Sequence, residues 1–324
     1  EASVSFAEVD QLGAIHKNDA YIDIHIDEVL DLELVDEDAI KAANFKIVVD
    51  GVNSTGGIAI PMLLERLGVY VEKLYCEPTG NFPHNPEPLK EHLSDICKLV
   101  PEENADLGIV VDPDVDRLAF IDETGEMFGE EYTLVACADY VLSENPGDTV
   151  SNLSSSRALR DVTQKHGGTY HAAAVGEVNV VTKMKEVNAV IGGEGNGGII
   201  FPESHYGRDA LVGVALFLTH LAKKKIKVSE LRASYPAYFM SKKKIELTPT
   251  LDVDGILKEI EKRYQEEEVN TIDGVKIDFE NHWVHLRKSN TEPIIRIYTE
   301  AGSQSEADQV ADGMIAAIKT IAGI

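Results

Sequence analysis

Two stretches of this 324-residue chain repeat one plan, and that repetition limits the folds open to it. In the first, Phe45 to Asp50 has the short β-branched composition of a buried strand. Gly56 to Leu67 follows with helical spacing, and Val69 to Leu74 reads as a second strand. A helix over 89–99 and a strand over 107–111 complete the unit. The second stretch runs strand 149–153, helix 157–166, strand 169–173, helix 179–186 and strand 189–191. Each unit ends in an unusual loop and then turns back into a short apolar run, 118–121 or 199–201. Alternating strands and helices predict a mostly parallel sheet covered on both faces, with functional loops at the carboxyl ends of strands. The expected fold class is α/β: two duplicated three-layer α/β/α domains with mostly parallel mixed sheets, plus a smaller C-terminal α+β domain. In that last region the basic run Lys242-Lys243-Lys244 precedes a helical stretch over 253–268. Strands at 275–279, 282–287 and 294–298 follow, then a helix from about Glu306 to Ile321. The expected boundaries are 41–126, 127–238 and 239–324. Residues 1–40 begin with Glu1 and contain no strand-and-glycine-loop unit. They read as the tail of a missing first domain or a linker.

The first special loop is Asp112-Pro113-Asp114-Val115-Asp116-Arg117. Three carboxylates at alternating positions in one turn can converge on a point, and converging negative charges need a cation. Oxygen-only ligands suit a hard ion such as Mg²⁺ or Ca²⁺. Arg117 is shaped to clamp a phosphate through two donors. Metal plus clamp suggests phosphoryl transfer. An EF-hand starting at Asp112 would place Glu123 correctly, yet its sixth position would be Arg117 where glycine is needed. A haloacid-dehalogenase-type site would need a later lysine and a second acidic pair, and no Gly-Asp-x-x-x-Asp is evident. A solvated acidic turn is the bland alternative.

The second loop, Gly192-Gly193-Glu194-Gly195-Asn196-Gly197-Gly198, formally matches the dinucleotide fingerprint. That fingerprint requires a following helix, whereas Ile199-Ile200-Phe201-Pro202 is strand-like. The glycines instead allow close approach of backbone to a ligand, with Glu194 and Asn196 offered to hydroxyls; a merely tight turn is the alternative. Arg287-Lys288-Ser289-Asn290-Thr291-Glu292-Pro293 offers a guanidinium, hydroxyls, an amide and backbone N–H groups as an anion cradle. An ordinary polar turn would look similar. Asp50 to Gly57 ends a strand and starts a helix. It could hold an anion, or Ser54 or Thr55 could simply cap the helix. His205, just before Tyr206-Gly207-Arg208-Asp209, is the histidine nearest a candidate site.

A formal charge of −26 repels nucleic acid and anionic membranes, which excludes polyanion partners. Cys76, Cys97 and Cys137 are odd in number and lack metal-site spacing, so they read as core filler in a reducing compartment. No apolar run has the length needed to span a bilayer, and a cytoplasmic location is expected.

In order and spacing the three loops resemble those of the α-D-phosphohexomutase family, which includes phosphoglucomutase, phosphomannomutase and phosphoglucosamine mutase. The resemblance runs from about residue 40 to the C-terminus and fits domains two, three and four of a four-domain enzyme. It implies interconversion of hexose 1-phosphates and hexose 6-phosphates through a phosphoserine and a bound hexose 1,6-bisphosphate, with Mg²⁺ as cofactor. By the same resemblance Asp112, Asp114 and Asp116 hold the metal and Arg117 acts on the transferring phosphoryl group. Gly176, Glu177, Glu194, Asn196 and Arg208 contact substrate, and Arg287, Ser289, Asn290 and Thr291 bind the non-reacting phosphate. Small hexose phosphates are then the partners, and the oligomeric state stays open.

Several residues depart from the family pattern. The serine loop, typically Thr-Ala-Ser-His-Asn-Pro, is absent; its nearest echo, Phe82-Pro83-His84-Asn85-Pro86, has proline where the serine would stand. The expectation is a fragment that binds but does not turn over. The sugar loop carries Asn196 and Gly198 where serine and histidine are common. Gly176-Glu177 replaces a common Gly-His. Another metal-dependent phosphotransferase, or a non-catalytic sugar-phosphate-binding protein, remains as the alternative.

Overall fold

The computed structural model describes residues 5–246, 252–288 and 294–323. Two helices, α1 (Tyr21–Leu30) and α2 (Glu37–Ala43), precede the first repeat. The Asp36 carboxylate caps α2 by accepting from Ala39 N, and Asn44 ends it in the left-handed conformation. The repeat itself is β1 (Lys46–Asp50), α3 (Gly56–Arg66), β2 (Tyr70–Leu74), α4 (Ser94–Glu102), β3 (Leu107–Val111) and β4 (Leu118–Asp122). Its sheet order is β2-β1-β3-β4, parallel except for β4. Every residue of β3 and β4 is buried, which is why both read as unbroken apolar runs.

The second repeat has the same order with new members. It comprises α5 (Glu130–Glu144), β5 (Thr149–Asn152), α6 (Ala158–Lys165), β6 (Tyr170–Ala173), α7 (Glu177–Val187), β7 (Ile191–Glu194), β8 (Gly198–Ile200), α8 (Ala210–Lys224) and α9 (Val228–Ala233). Its sheet is β6-β5-β7-β8, again antiparallel only at the last strand. The duplication expected from the sequence is therefore present in topology. Helices α5 and α8, outside the repeated plan, pack against both β4 and β8 and join the two units through one core. Phe120 of β4 stacks on Phe217 of α8 with centroids 3.8 Å apart, and Phe128 meets both edge-on. Two backbone bonds stitch the special loops together: Leu118 N donates to Gly197 O and Ala210 N to Val115 O, each at 3.1 Å.

Residues 21–43 are packed rather than loose. Ile26, Val29 and Ile40 belong to the same core, and α1 and α2 lie against α8. His25 of α1 and His205 share the Oδ2 of Asp209, at 2.7 and 2.9 Å, while Asp209 Oδ1 caps α8.

The last domain is a five-stranded antiparallel sheet in the order β10-β11-β12-β13-β9. Its strands are β9 (Phe239–Glu246), β10 (Glu268–Asn270), β11 (Val275–Asp278), β12 (Trp283–Lys288) and β13 (Ile294–Ala301). Helices α10 (Val253–Arg263) and α11 (Gln304–Ala322) cover one face, burying Ile245, Ile277, Val284 and Ile297 against Ile256, Ile260, Met314 and Ile318. The other face is polar and turns toward the second repeat. The basic run precedes α10 as expected and itself lies inside β9, where Ser241 and Ile245 alternate inward. The helix expected over 253–268 stops at Arg263, and Glu268–Asn270 pairs as an edge strand instead. No helix among the described residues is long and apolar enough to cross a membrane.

His285 marks the seam between this sheet and the second repeat. It is 1% exposed; Nε2 lies 2.7 Å from the Asp273 carbonyl and Nδ1 2.9 Å from Ser154 Oγ. A neutral ring satisfies both contacts, donating through Nε2 and accepting at Nδ1. Burial, aided by the Lys276 charge, lowers its pKa to about 4. The unfolded chain, with a histidine pKa near 6.5, takes up this proton first as pH falls. Stability is thus full above about 6.5 and declines toward about 4, by up to about 3 kcal/mol. Urea midpoints measured across that window should drop for the wild type and slope less for His285→Gln. Equal slopes would remove His285 as the cause.

Candidate active site

The acidic loop joins β3 to β4, and its geometry needs an uncommon backbone. Val115 sits at φ 60°, a left-handed conformation costing a β-branched residue about 1–3 kcal/mol. It lets the chain turn so that carboxylate oxygens of Asp112, Asp114 and Asp116 come within 4.8 Å of one another. Asp112 Oδ1 accepts from the backbone N–H groups of Asp116 and Arg117 at 3.0 and 2.9 Å. Ser54 Oγ and Thr55 Oγ1 donate to the Pro113 carbonyl at 2.7 and 2.8 Å. This corrects the capping expectation: neither hydroxyl caps α3, because both are drawn across to brace the acidic turn.

The electrostatics of the trio fit a cation. Burial, and then the like charges of Asp116 and Asp114, push Asp112 up to about 7. Asp116 Oδ1 is buried and has no hydrogen-bond partner among the described residues. Oxygen ligands only, clustered and incompletely satisfied, are the donor set of a hard divalent ion. Arg117 stands beside them, with Nε 3.6 Å from Asp112 and 3.8 Å from Asp116 and Nη1 3.3 Å from Glu87.

Arg208 links this loop to the glycine-rich one. Its Nη2 bonds Asp116 Oδ2, its Nη1 donates to Glu194 Oε2 at 3.0 Å, and its Nε lies 3.5 Å from Glu177 Oε2. Glu177 also accepts from Arg208 N at 3.1 Å, so the carboxylate standing where a histidine is common serves to hold this arginine. The other oxygen of Glu194 accepts from Asn152 Nδ2 at 2.8 Å and from Gly176 N at 3.2 Å. Glu194 is thus fixed from three sides at the carboxyl end of β7. Asn196 turns its Oδ1 back to Gly198 N at 3.3 Å.

Glycine is required within this loop for lack of room. A Cβ on Gly195 would stand 1.9 Å from Glu131 Oε2, and one on Gly197, at φ 88°, would stand 2.2 Å from the Leu118 carbonyl. Glu131, at the start of α5, accepts from Ser156 N at 2.9 Å. Burial raises its pKa to about 8, against the opposing pull of Lys242 4.0 Å away. Glu194, Asn196, Glu131 and Asn152 form one wall of a polar recess, and Arg287, Arg296, Tyr298 and Lys242 of the last sheet form the other. Arg287 Nε lies 2.8 Å from Asp273 Oδ2, which also accepts from Val175 N.

The expected site residues therefore gather about one cleft: Asp112, Asp114, Asp116 and Arg117 on one loop, Gly176, Glu177, Glu194, Asn196 and Arg208 around the other, and Arg287 facing them. Ser289, Asn290 and Thr291 lie outside the described residues. Reading the sequence did not single out Asn152, Glu131, Lys242, Arg296 or Tyr298. Lys242 was visible only as part of a basic run, and Glu131 only as one acid among many at helix starts.

Comparison with known proteins agrees with this arrangement. The family models for phosphoglucomutase/phosphomannomutase match over residues 21–125 (alpha/beta/alpha domain II), 129–238 (alpha/beta/alpha domain III) and 241–317 (C-terminal domain). A phosphoglucomutase/phosphomannomutase of Thermococcus kodakarensis is 38% identical over 277 residues, covering 84% of this chain and 60% of that protein. A probable phosphoglucosamine mutase of Methanopyrus kandleri is 31% identical over 319 residues, 97% of this chain and 69% of that one. The crystal structure of a phosphoglucomutase/phosphomannomutase family protein from Burkholderia thailandensis superposes with a TM-score of 0.79 at 27% identity, covering 92% of this chain and 64% of that one. Fold and paired loops define a phosphohexomutase-type chain. It belongs to the phosphoglucomutase/phosphomannomutase family, and it spans 60% to 69% of the length of these two relatives.

Arg208 both occupies an oxygen of Asp116 and orients Glu194, so removing its charge should act in opposite directions. Arg208→Met should tighten binding of a divalent-cation probe, Mg²⁺, at the acidic trio and weaken binding of a sugar-phosphate probe, glucose 1-phosphate, at Glu194, each by about tenfold. Calorimetric titration of each ligand separately checks this. Parallel losses for both would show that Arg208 only maintains the fold of the loops.

Proposed function

We propose that this chain supplies the metal-binding, sugar-recognition and phosphate-binding parts of a phosphohexomutase that interconverts hexose 1-phosphates and hexose 6-phosphates. The observation that carries it is the Arg208 link, which ties the acidic trio to the carboxylate facing the Arg287 wall. A sugar held by Glu194 would lie between a phosphoryl-transfer centre and a separate phosphate seat.

In this reading Asp112, Asp114 and Asp116 hold Mg²⁺, which when bound neutralises charge on the transferring phosphoryl group. Arg117, between the carboxylates and the open cleft, would exchange its contact with Glu87 for phosphoryl oxygens. Glu194 would accept from two neighbouring sugar hydroxyls, its geometry fixed by Asn152, Gly176 N and Arg208. Arg287, with Ser289, Asn290 and Thr291, would grip the non-reacting phosphate, and Lys242 and Arg296 would add positive charge to that end. Hexose 1,6-bisphosphate is the intermediate that presents either phosphate to either seat in turn.

This 324-residue sequence contains no Ser-His-Asn-Pro segment, and Pro83 stands in its nearest echo. Taken by itself, the chain is proposed to bind hexose phosphates without turning them over. The sugar is left as a class, since the relatives above carry both phosphoglucomutase/phosphomannomutase and phosphoglucosamine mutase names.

Calorimetric titration with glucose 1-phosphate and glucose 1,6-bisphosphate, with and without Mg²⁺, should show binding of at least one. Asp114→Asn should weaken Mg²⁺ about tenfold or more without unfolding the protein, and Arg287→Ala should weaken the sugar phosphate while sparing the metal. Unchanged Mg²⁺ affinity in the first variant would sink the metal assignment, and unchanged sugar affinity in the second the phosphate seat.

A further inference from the structure

The polar face of the last sheet lines two recesses. The strand register puts Lys276 and Asp278 on the same face as His285 and Trp283, and through them Tyr298 and Lys242. At the β13–β9 end this face closes over the cleft described above. At the β10–β11 end it closes over a second recess, walled on the other side by Leu153, Arg160 and Tyr170 of the second repeat.

A dense clamp stands between them. Arg157 Nη2 reaches Asp278 Oδ1 at 3.0 Å and the carbonyls of Phe279 and His282 at 3.3 and 3.1 Å, while Nη1 reaches Glu280 O at 3.2 Å. Arg157 N and Trp283 Nε1 both donate to Glu300 Oε1. Arg157 is consequently spent on holding the seam.

Lys276 is not spent. It is 6% exposed and lines the second recess, and its Nζ has no hydrogen-bond acceptor within reach among the described residues. The nearest carboxylate oxygen, Asp278 Oδ2, is 3.8 Å away, and the other oxygen of that group already serves Arg157. The ammonium rests 4.4 Å over the Trp283 ring. That contact offsets part of its desolvation but leaves its donors unused. Burial holds its pKa below the ordinary lysine value, against the opposing pull of the Asp278 and Glu300 carboxylates, neither of which reaches hydrogen-bond distance. Across the recess Arg160 has, among the described residues, only Asp161 within ion-pair distance, at 3.6 Å. Two under-partnered cations thus face one pocket on a chain whose net charge is −26. Asn270 and Glu268 at the rim offer groups suited to a hydroxyl.

We infer that this seam recess is a second binding site, separate from the cleft, for a small phosphate anion, either free phosphate or the end of a hydroxyl-bearing phosphate monoester. Lys276 comes from the last domain and Arg160 from the second repeat, so an anion between them ties the two together. Ser155 borders both recesses and its Oγ accepts from Gly195 N at 3.0 Å, which gives the seam a direct connection to the sugar loop.

Calorimetric titration of the whole chain with inorganic phosphate and with glycerol 3-phosphate tests this. The background is Arg287→Ala, to weaken binding in the cleft. Lys276→Met and Arg160→Ala should each weaken the remaining affinity about tenfold, whereas Lys73→Met, a surface cation on β2 paired with Glu65, should leave it unchanged. Tighter binding of the monoester would identify the esterified ligand, and tighter binding of inorganic phosphate the free ion. Retained affinity in both Lys276→Met and Arg160→Ala, or an equal loss with Lys73→Met, would overturn the site. Should Lys276→Met fail to fold, the half-exposed Arg160 decides alone.

Discussion

The cleft depends on the Arg208 guanidinium. Charged groups are rarely buried together unless each has a partner, and here one planar cation meets carboxylates from two loops and a third from a helix start. Without it Asp116 and Glu194 would face each other as uncompensated charges. The surrounding structure fixes Arg208 in turn: its own N–H is held by Glu177, and the next residue, Asp209, caps α8 and is latched by two histidines. Burial would raise Asp209, yet the hydrogen bonds from His205 and His25 prevail and hold its carboxyl well below the usual range. The carboxylate keeps its charge and the helix keeps its cap.

The two duplicated sheets meet through α5 and α8 with their antiparallel edge strands close together, and this placement brings two strand-end loops within backbone hydrogen-bond distance. Duplication alone would give two independent loops. The α8 helix, buried on every side from Ala210 to Ala222, makes them one site.

Much of this was legible in the sequence. The apolar runs 107–111 and 118–121 could only be buried strands, and the alternating strand and helix periods identified the repeats. The acidic trio and the glycine loop stood out because their compositions have few other uses. What escaped notice has a common physical cause. Glu131, Asn152 and Tyr298 are ordinary residues at ordinary places, and they become part of the cleft only because distant elements pack face to face. Strand β9 was hidden by its lysines: Lys242 and Lys244 point to one face, and Lys243 interrupts the other, where Ser241 and Ile245 are the buried residues. The hydroxyls of Ser54 and Thr55 looked like caps because local pattern cannot show that the Pro113 carbonyl lies nearer than the helix's own N–H groups.

The glycine loop also bears on how such a protein can change. A Cβ at Gly197 would meet the Leu118 backbone and one at Gly195 would have to displace the Glu131 carboxylate, so neither position readily takes a side chain that reshapes the recess. Altered selectivity has to arise at Asn196 or from the opposite wall, where Tyr298 and Lys242 occupy neighbouring strands of a separate sheet. A protein built this way would keep the Glu194 carboxylate constant and diversify by drift in its last domain.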